Sequence, residues 1–319
     1  PLEFLLFAAT LTGVAFFHHR TFTVAVTGLL TIIAYKFVFT GFPPGPGFEG
    51  LLGHLWHERI IISNLILLLL GFAVLARHFE DSKAPDAIPR ILPDDWLGGL
   101  ALLGMIFVMS GFLDNIAAAL IGGVVAKHVF EKVHIGYLAA IVASSNAGGA
   151  GSVVGDTTTT MMWIDGISPL VVLPAYIAAA TAFVVFAIPL SLVQQRHSPI
   201  KKHRDENLKV DWARVGIVAF ILLMAIGANA GANIFAPHLL DVIPVIGVAV
   251  WVAILLAAVV RRPNLGVAAA SIKGTLFLMS LVLCASLMPV EKLPLPSWQS
   301  ALGLGFVSSV FDNIPLTAL

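Results

Sequence analysis

Leu113-Asp114-Asn115-Ile116-Ala117 recurs 198 residues later as Phe311-Asp312-Asn313-Ile314-Pro315, and each copy sits inside a long apolar run. An aspartate in such a run costs about 2.5 to 3.5 kcal/mol to place in a bilayer, so a carboxylate kept there points to a function. Composition says that the surroundings are a bilayer. The 319 residues are 58% hydrophobic and 11% charged, with 18 basic and 18 acidic side chains and a mean hydropathy of +0.95. A soluble domain carries about 25% charge. This excludes a water-soluble globular enzyme, and zero net charge excludes a nucleic-acid binder. A single cysteine, Cys284, leaves no disulfide framework and no paired-cysteine metal site.

A spanning helix needs about 20 apolar residues. Charge-free runs predict spans at 2–17, 21–40, 60–76, 167–193, 215–233, 243–260 and 275–289. Three further apolar regions are interrupted: 96–130 at Asp114-Asn115, 137–165 between Gly148 and Asp156, and 298–319 at Asp312-Asn313. Basic residues set the orientation. Placing the dense stretch Arg196 to Arg214 in the cytoplasm, and folding 96–130 back on itself as a re-entrant hairpin, leaves only Arg59 and Lys292 outside and Lys36 within a span. The hairpin tipped by Asp114 then enters from the cytoplasm and the one tipped by Asp312 from the opposite face. A motif repeated in opposite orientation marks inverted-topology repeats, which place binding sites near the midplane between them.

The expected fold is therefore all-α: a polytopic membrane protein with inverted-topology repeats, re-entrant hairpins and a broken helix. Residues 1–57 form N-terminal transmembrane helices and 58–193 a first repeat, with its hairpin tip at 114–115 and an unwound helix at 146–156. Residues 194–214 form a cytoplasmic basic loop and 215–319 a second repeat that stops after its hairpin tip at 312–313. By the 198-residue offset, partners of Asn146 and Asp156 would fall near 344 and 354, so the second repeat is expected to be incomplete.

Three aspartates fall within apolar segments: Asp114, Asp156 and Asp312. Each is followed by side-chain oxygens: Asn115, the run from Thr157 and Thr158 to Thr160, and Asn313. Carboxylate, amide and hydroxyl oxygens together suit a hard cation. Between Ser144 and Asp156 the glycines Gly148, Gly149, Gly151 and Gly155 crowd a span, where they permit helix unwinding and close backbone approach. A small-residue packing face is the alternative. Asp156 and the consecutive threonines favour an ion site, with Ser145, Asn146 and the carbonyls of Gly148 and Gly149 available to it. The expected sodium ligands are Asp114, Asn115, Ser145, Asn146 and Asp156.

Leu113 to Ala117, Ser145-Asn146 with the two following glycines, Gly155-Asp156-Thr157-Thr158-Thr159-Thr160-Met161-Met162-Trp163, and Phe311 to Thr317 together resemble the ion transporter superfamily. Within it they are most similar to the NhaD-type sodium/proton antiporters, over about residues 58–319. The resemblance implies that Asp114, Asn115, Asp156, Asp312 and Asn313 line a cation site. Ala147 stands where relatives often carry a second small polar residue, which removes a hydroxyl there.

The expected activity is exchange of sodium or lithium for protons by competition at the intramembrane aspartates, in a multi-pass protein of the cell (inner) membrane. Its expected partners are the lipid bilayer, the transported ions and a possible second copy of the chain, with no nucleic acid; no cofactor and no enzymatic activity are expected. The alternative on the same scaffold is a sodium-coupled carboxylate (citrate-type) or arsenite-type anion carrier. Anions call for basic side chains or helix N-termini, and only Lys36 and Lys127 lie near the spans. His54-Leu55-Trp56-His57-Glu58 matches no zinc-protease pattern and is expected to be an interfacial loop. Lys36 is expected to snorkel, and Trp56, Trp96, Trp163 and Trp298 to form an interfacial belt.

Overall fold

A computed structural model describes residues 2–42, 45–87, 92–111, 115–152, 159, 169–200, 209–289 and 297–308. Among these the chain is all-helical, with isolated bridges at Phe42–Gly45 and Phe130–Ile200 in place of strands. The helices are α1 (Leu2–Phe16), α2 (Thr21–Tyr35), α3 (Gly47–Asp81), α4 (Trp96–Ser110), α5 (Asn115–Val129) and α6 (Ile135–Gly149). They continue with α7 (Ala175–His197), α8 (Trp212–Phe235), α9 (Val245–Ala257), α10 (Leu265–Ser286) and α11 (Trp298–Ser308).

Among the described residues five helical segments are long and apolar enough to cross a membrane: Thr21–Thr40, α3, α7, α8 and α10. Large apolar side chains crowd the outside, with Phe235 85% and Val259 90% exposed. A surface so apolar needs a lipid solvent. The chain is a multi-pass membrane protein.

Several helices outrun their charge-free cores. The span expected at 60–76 is the middle of the 35-residue α3, and the one expected at 275–289 begins ten residues earlier, at Leu265. Charged side chains such as Arg59 and Lys273 end an apolar run without ending a helix, because backbone hydrogen bonding does not depend on them. His54 to Glu58 therefore lie within α3 and not in a loop.

The chain divides into two compact units, residues 1–70 with 269–319 and residues 71–268. In the first unit α1 and α2 join through a tight turn at His18–Arg20 and touch at Gly28, where a Cβ would lie 2.2 Å from Thr10 Oγ1. Phe7, Leu11, Ala25 and Ile32 share a core with Phe42, Leu281, Cys284 and Leu287. After Tyr35 the helix widens to a π-helical turn, Lys36–Thr40, that ends at Gly41 with φ +73°. Lys36 does not snorkel: it is buried, and its Nζ donates to the Gly41 carbonyl at 3.4 Å. His54 is buried with Nε2 3.0 Å from Ser286 Oγ.

In the second unit α4, α5, α6 and α7 pack together, α8 packs on α9, and Val250 and Ile254 of α9 meet α3 at Gly71. Asp211 caps α8, its Oδ1 accepting from the Ala213 and Arg214 amides at 3.1 and 3.3 Å. Its Oδ2 pairs with Arg261 Nε at 3.0 Å. The second hairpin tip expected at Asp312 and Asn313 lies outside the described residues.

Candidate cation site

The site is built at the end of a helical hairpin. Asp95 starts α4 by accepting from the Leu97 amide at 2.9 Å. α4 stops at Ser110 with Gly111 as its C-cap, and α5 is described from Asn115. Ile106 packs on Gly122, where a Cβ would lie 2.4 Å from Ile106 Cδ1. These positions are equidistant from 114, as an antiparallel hairpin requires. Both feet of the hairpin meet the end of α7: Gln195 Nε2 donates to the Asp94 carbonyl at 3.0 Å, and Phe130 bridges Ile200. Gln194 ties the same end to the start of α6, its Oε1 accepting from the His134 amide at 2.7 Å and its Nε2 donating to the Lys132 carbonyl at 3.0 Å. Helices of 15 residues, at 1.5 Å per residue, reach about 22 Å from this base. That is short of the roughly 30 Å hydrocarbon core.

The tip meets the end of α6. Asn115 Nδ2 donates to Asn146 Oδ1 at 2.7 Å, and Ser110 Oγ donates to the Ser145 carbonyl. Tyr176 Oη donates to the Gly148 carbonyl at 3.0 Å. Ser145 Oγ donates to the Val142 carbonyl at 2.9 Å. Asn115, Ser144, Ser145 and Gly148 are all buried.

At Gly148 the packing alternative holds. The break predicted over 146–156 starts later, because α6 remains helical through Gly149 and turns at Ala150. Gly148 serves packing: a Cβ there would lie 1.9 Å from the Phe107 carbonyl oxygen, so only glycine lets α4 approach so closely. At Gly151 a Cβ would similarly lie 2.3 Å from Tyr176 Cδ2.

Among the described residues, Asn115 Oδ1 at this junction and Ser144 Oγ on α6 have no hydrogen-bond partner. Both are buried, a state that costs about 1–3 kcal/mol per group. A cation coordinated by Asn115 Oδ1 would recover that cost there. The C-terminal end of α6 adds a negative dipole end to the same place. Among the described residues no three His, Cys, Asp or Glu side chains gather.

Of the residues expected at the site, Asn115, Ser145, Asn146, Gly148 and Gly149 come together. Asp114, Asp156, Thr157, Thr158, Asp312 and Asn313 lie outside the described residues. Sequence reasoning did not assign Ser110, Ser144 or Tyr176 to the site. Ser110 stands four residues before Asp114 and Ser144 immediately before Ser145, a proximity that was available as a signal. Tyr176 is one of only three tyrosines and opens an apolar helix.

No family model matches the chain. It is 26% identical to sodium/proton antiporter 1 of Arabidopsis thaliana over 98% of its own length, covering 58% of that protein. It is 28% identical to the Na+/H+ antiporter NhaD of Vibrio parahaemolyticus over 62% of its length, covering 48% of that protein. A third relative, the NhaD antiporter of Alkalimonas amylolytica, is 28% identical over 60% of the chain and covered to 41%. The chain spans about half the length of the curated relatives it matches. In sequence it is a relative of the NhaD-type sodium/proton antiporters.

Proposed function

We propose that the protein is a secondary transporter that exchanges sodium or lithium for protons across the cell (inner) membrane. The observation that carries this is the Asn115–Asn146 hydrogen bond at the hairpin tip, with Asn115 Oδ1 buried and unpartnered beside it. Neutral amide and hydroxyl oxygens select a hard cation but supply no net charge. That charge comes from Asp114, next in sequence to Asn115, and from Asp156. A carboxylate there binds either a cation or a proton, and this competition couples the two flows. For that, its pKa must lie near the working pH, which desolvation and neighbouring carboxylates produce by raising it. The names of the relatives support the same reading.

The hairpin from α4 to α5 is re-entrant in this account, and Asp312 with Asn313 supplies a matching tip from the other face. The test is dissipation of a pH gradient in everted vesicles carrying the intact protein. Sodium and lithium collapse the gradient, potassium and citrate do not, and Asp156→Asn abolishes the response. Citrate-dependent uptake without sodium-dependent proton movement would favour the anion carrier.

A further inference from the structure

α7 grips the hairpin and α6 at both of its ends. At the base Gln194 bonds the start of α6 and Gln195 the foot of α4. Eighteen residues before Gln194, about 27 Å along the helix, one hydroxyl does the same at the tip. Tyr176 Oη donates to the Gly148 carbonyl at 3.0 Å. A Cβ at Gly111, the C-cap of α4, would lie 3.0 Å from this Oη and 3.6 Å from the Gly148 oxygen, so the hydrogen bond runs directly against the backbone of the tip. On its other side the Tyr176 ring fills the space that a side chain at Gly151 would need, and the Ser152 side chain hydrogen-bonds the phenol. The Ser152 carbonyl in turn accepts from Thr159 Oγ1. One side chain therefore touches the tip, the end of α6 and the turn that follows it.

The ring and the hydroxyl have separable roles. The Phe107 ring centroid lies 6.2 Å from that of Tyr176 and 5.1 Å from that of Phe183, so aromatic packing holds the ring with or without its oxygen. Only the hydroxyl reaches Gly148. That glycine stands two residues beyond Asn146, whose Oδ1 accepts from Asn115 beside the unpartnered Asn115 Oδ1. A binding constellation must be held to within about 0.5 Å of its productive geometry. We infer that Tyr176 is a positioning residue for the cation site, its hydroxyl holding the end of α6 against the hairpin tip and thereby setting the affinity for sodium. The inference rests on the sodium site proposed above.

The test is sodium binding by the purified intact protein, measured by titration calorimetry and paired with sodium-dependent proton movement in vesicles. Tyr176→Phe keeps the ring and loses the hydrogen bond, so sodium affinity falls about fivefold. The sodium KM rises by the same factor with kcat unchanged, as expected when binding alone is weakened. Gly111→Ala brings a methyl group against Oη, displaces the hydroxyl and raises KM in the same way. In the Tyr176→Phe background it adds nothing further, because the atom it displaces is gone. Additive effects of the two substitutions overturn the inference. So does a lowered kcat at unchanged KM in Tyr176→Phe, the mark of lost folded protein. Wild-type protein that binds sodium no more tightly than Tyr176→Phe refutes this role of Tyr176 alone, whereas wild-type protein that binds no sodium refutes the sodium site and this inference with it.

Discussion

Substituting Gly148 with alanine tests whether this glycine is a packing contact or a source of flexibility. The added Cβ would lie 1.9 Å from the Phe107 carbonyl oxygen and 2.7 Å from its carbon, both backbone atoms on α4. Ordinary contact begins near 3.4 Å, so α4 and α6 must separate by about 1.5 Å. Neither partner is the end of a flexible side chain, so the strain spreads over two helices. Overpacking of this kind costs about 1–3 kcal/mol, and a backbone partner puts Gly148→Ala at the upper end. The shift also pulls Asn146 from Asn115 and Gly148 from Tyr176, so transport falls with stability. Gly123→Ala in α5 is the control, since nothing lies within 4 Å of its Cβ position. It gains up to about 1 kcal/mol of helix propensity. The assay is thermal unfolding of the purified protein followed by size exclusion, paired with the vesicle transport assay. Equal melting temperatures for Gly148→Ala and wild type would refute the close-packing account.

Gln194→Ala leaves the His134 amide and the Lys132 and Ser198 carbonyls without their side-chain partner, and should cost about 2–3 kcal/mol in thermal unfolding. Gln194→Glu retains only the His134 bond and should fall between. Alanine at Asn115 and at Asn146 should show a coupling of about 0.6 to 1.7 kcal/mol in a double-mutant cycle; additive effects would mean that the bond is not formed. The Arg261 guanidinium beside Asp211 holds its carboxyl below the usual value of 3.8, aided by the capped amides. Its stabilisation is fully present above pH 3.8 and disappears as pH falls through the lowered folded value. Asp211→Asn keeps the cap, loses the Arg261 pair, and should flatten this acid limb of the stability profile.

The division of 96–130 into two helices was legible because Asp114 and Asn115 interrupt a run that otherwise repels polar residues; α4 ends at Ser110 and α5 is described from Asn115 onward. Helix lengths were not, because the membrane sets the length of the apolar run and not of the helix. Arg59 continues α3, and Lys273 continues α10. The role of Gly148 was left between two readings for a different reason: sequence shows that Gly148 lacks a side chain, but only the position of Phe107 shows what that absence accommodates. Asn115 and Asn146 were named separately from motif and chemistry. Their direct pairing, and the unsatisfied oxygen it leaves, depends on the packing of α5 against α6. Lys36 illustrates the limit of depth arguments, since the π-helical turn brings the Gly41 carbonyl within reach of a lysine that would otherwise extend to the interface.

The central claim is that the hairpin tip holds a cation in competition with protons. Sodium binding by the purified intact protein, followed from pH 5 to 9, tests it most directly. The account predicts that affinity rises with pH until the site carboxylates are deprotonated, and that Asn115→Ala weakens binding across the whole range without moving that titration. Sodium affinity independent of pH, or undiminished in Asn115→Ala, would contradict it.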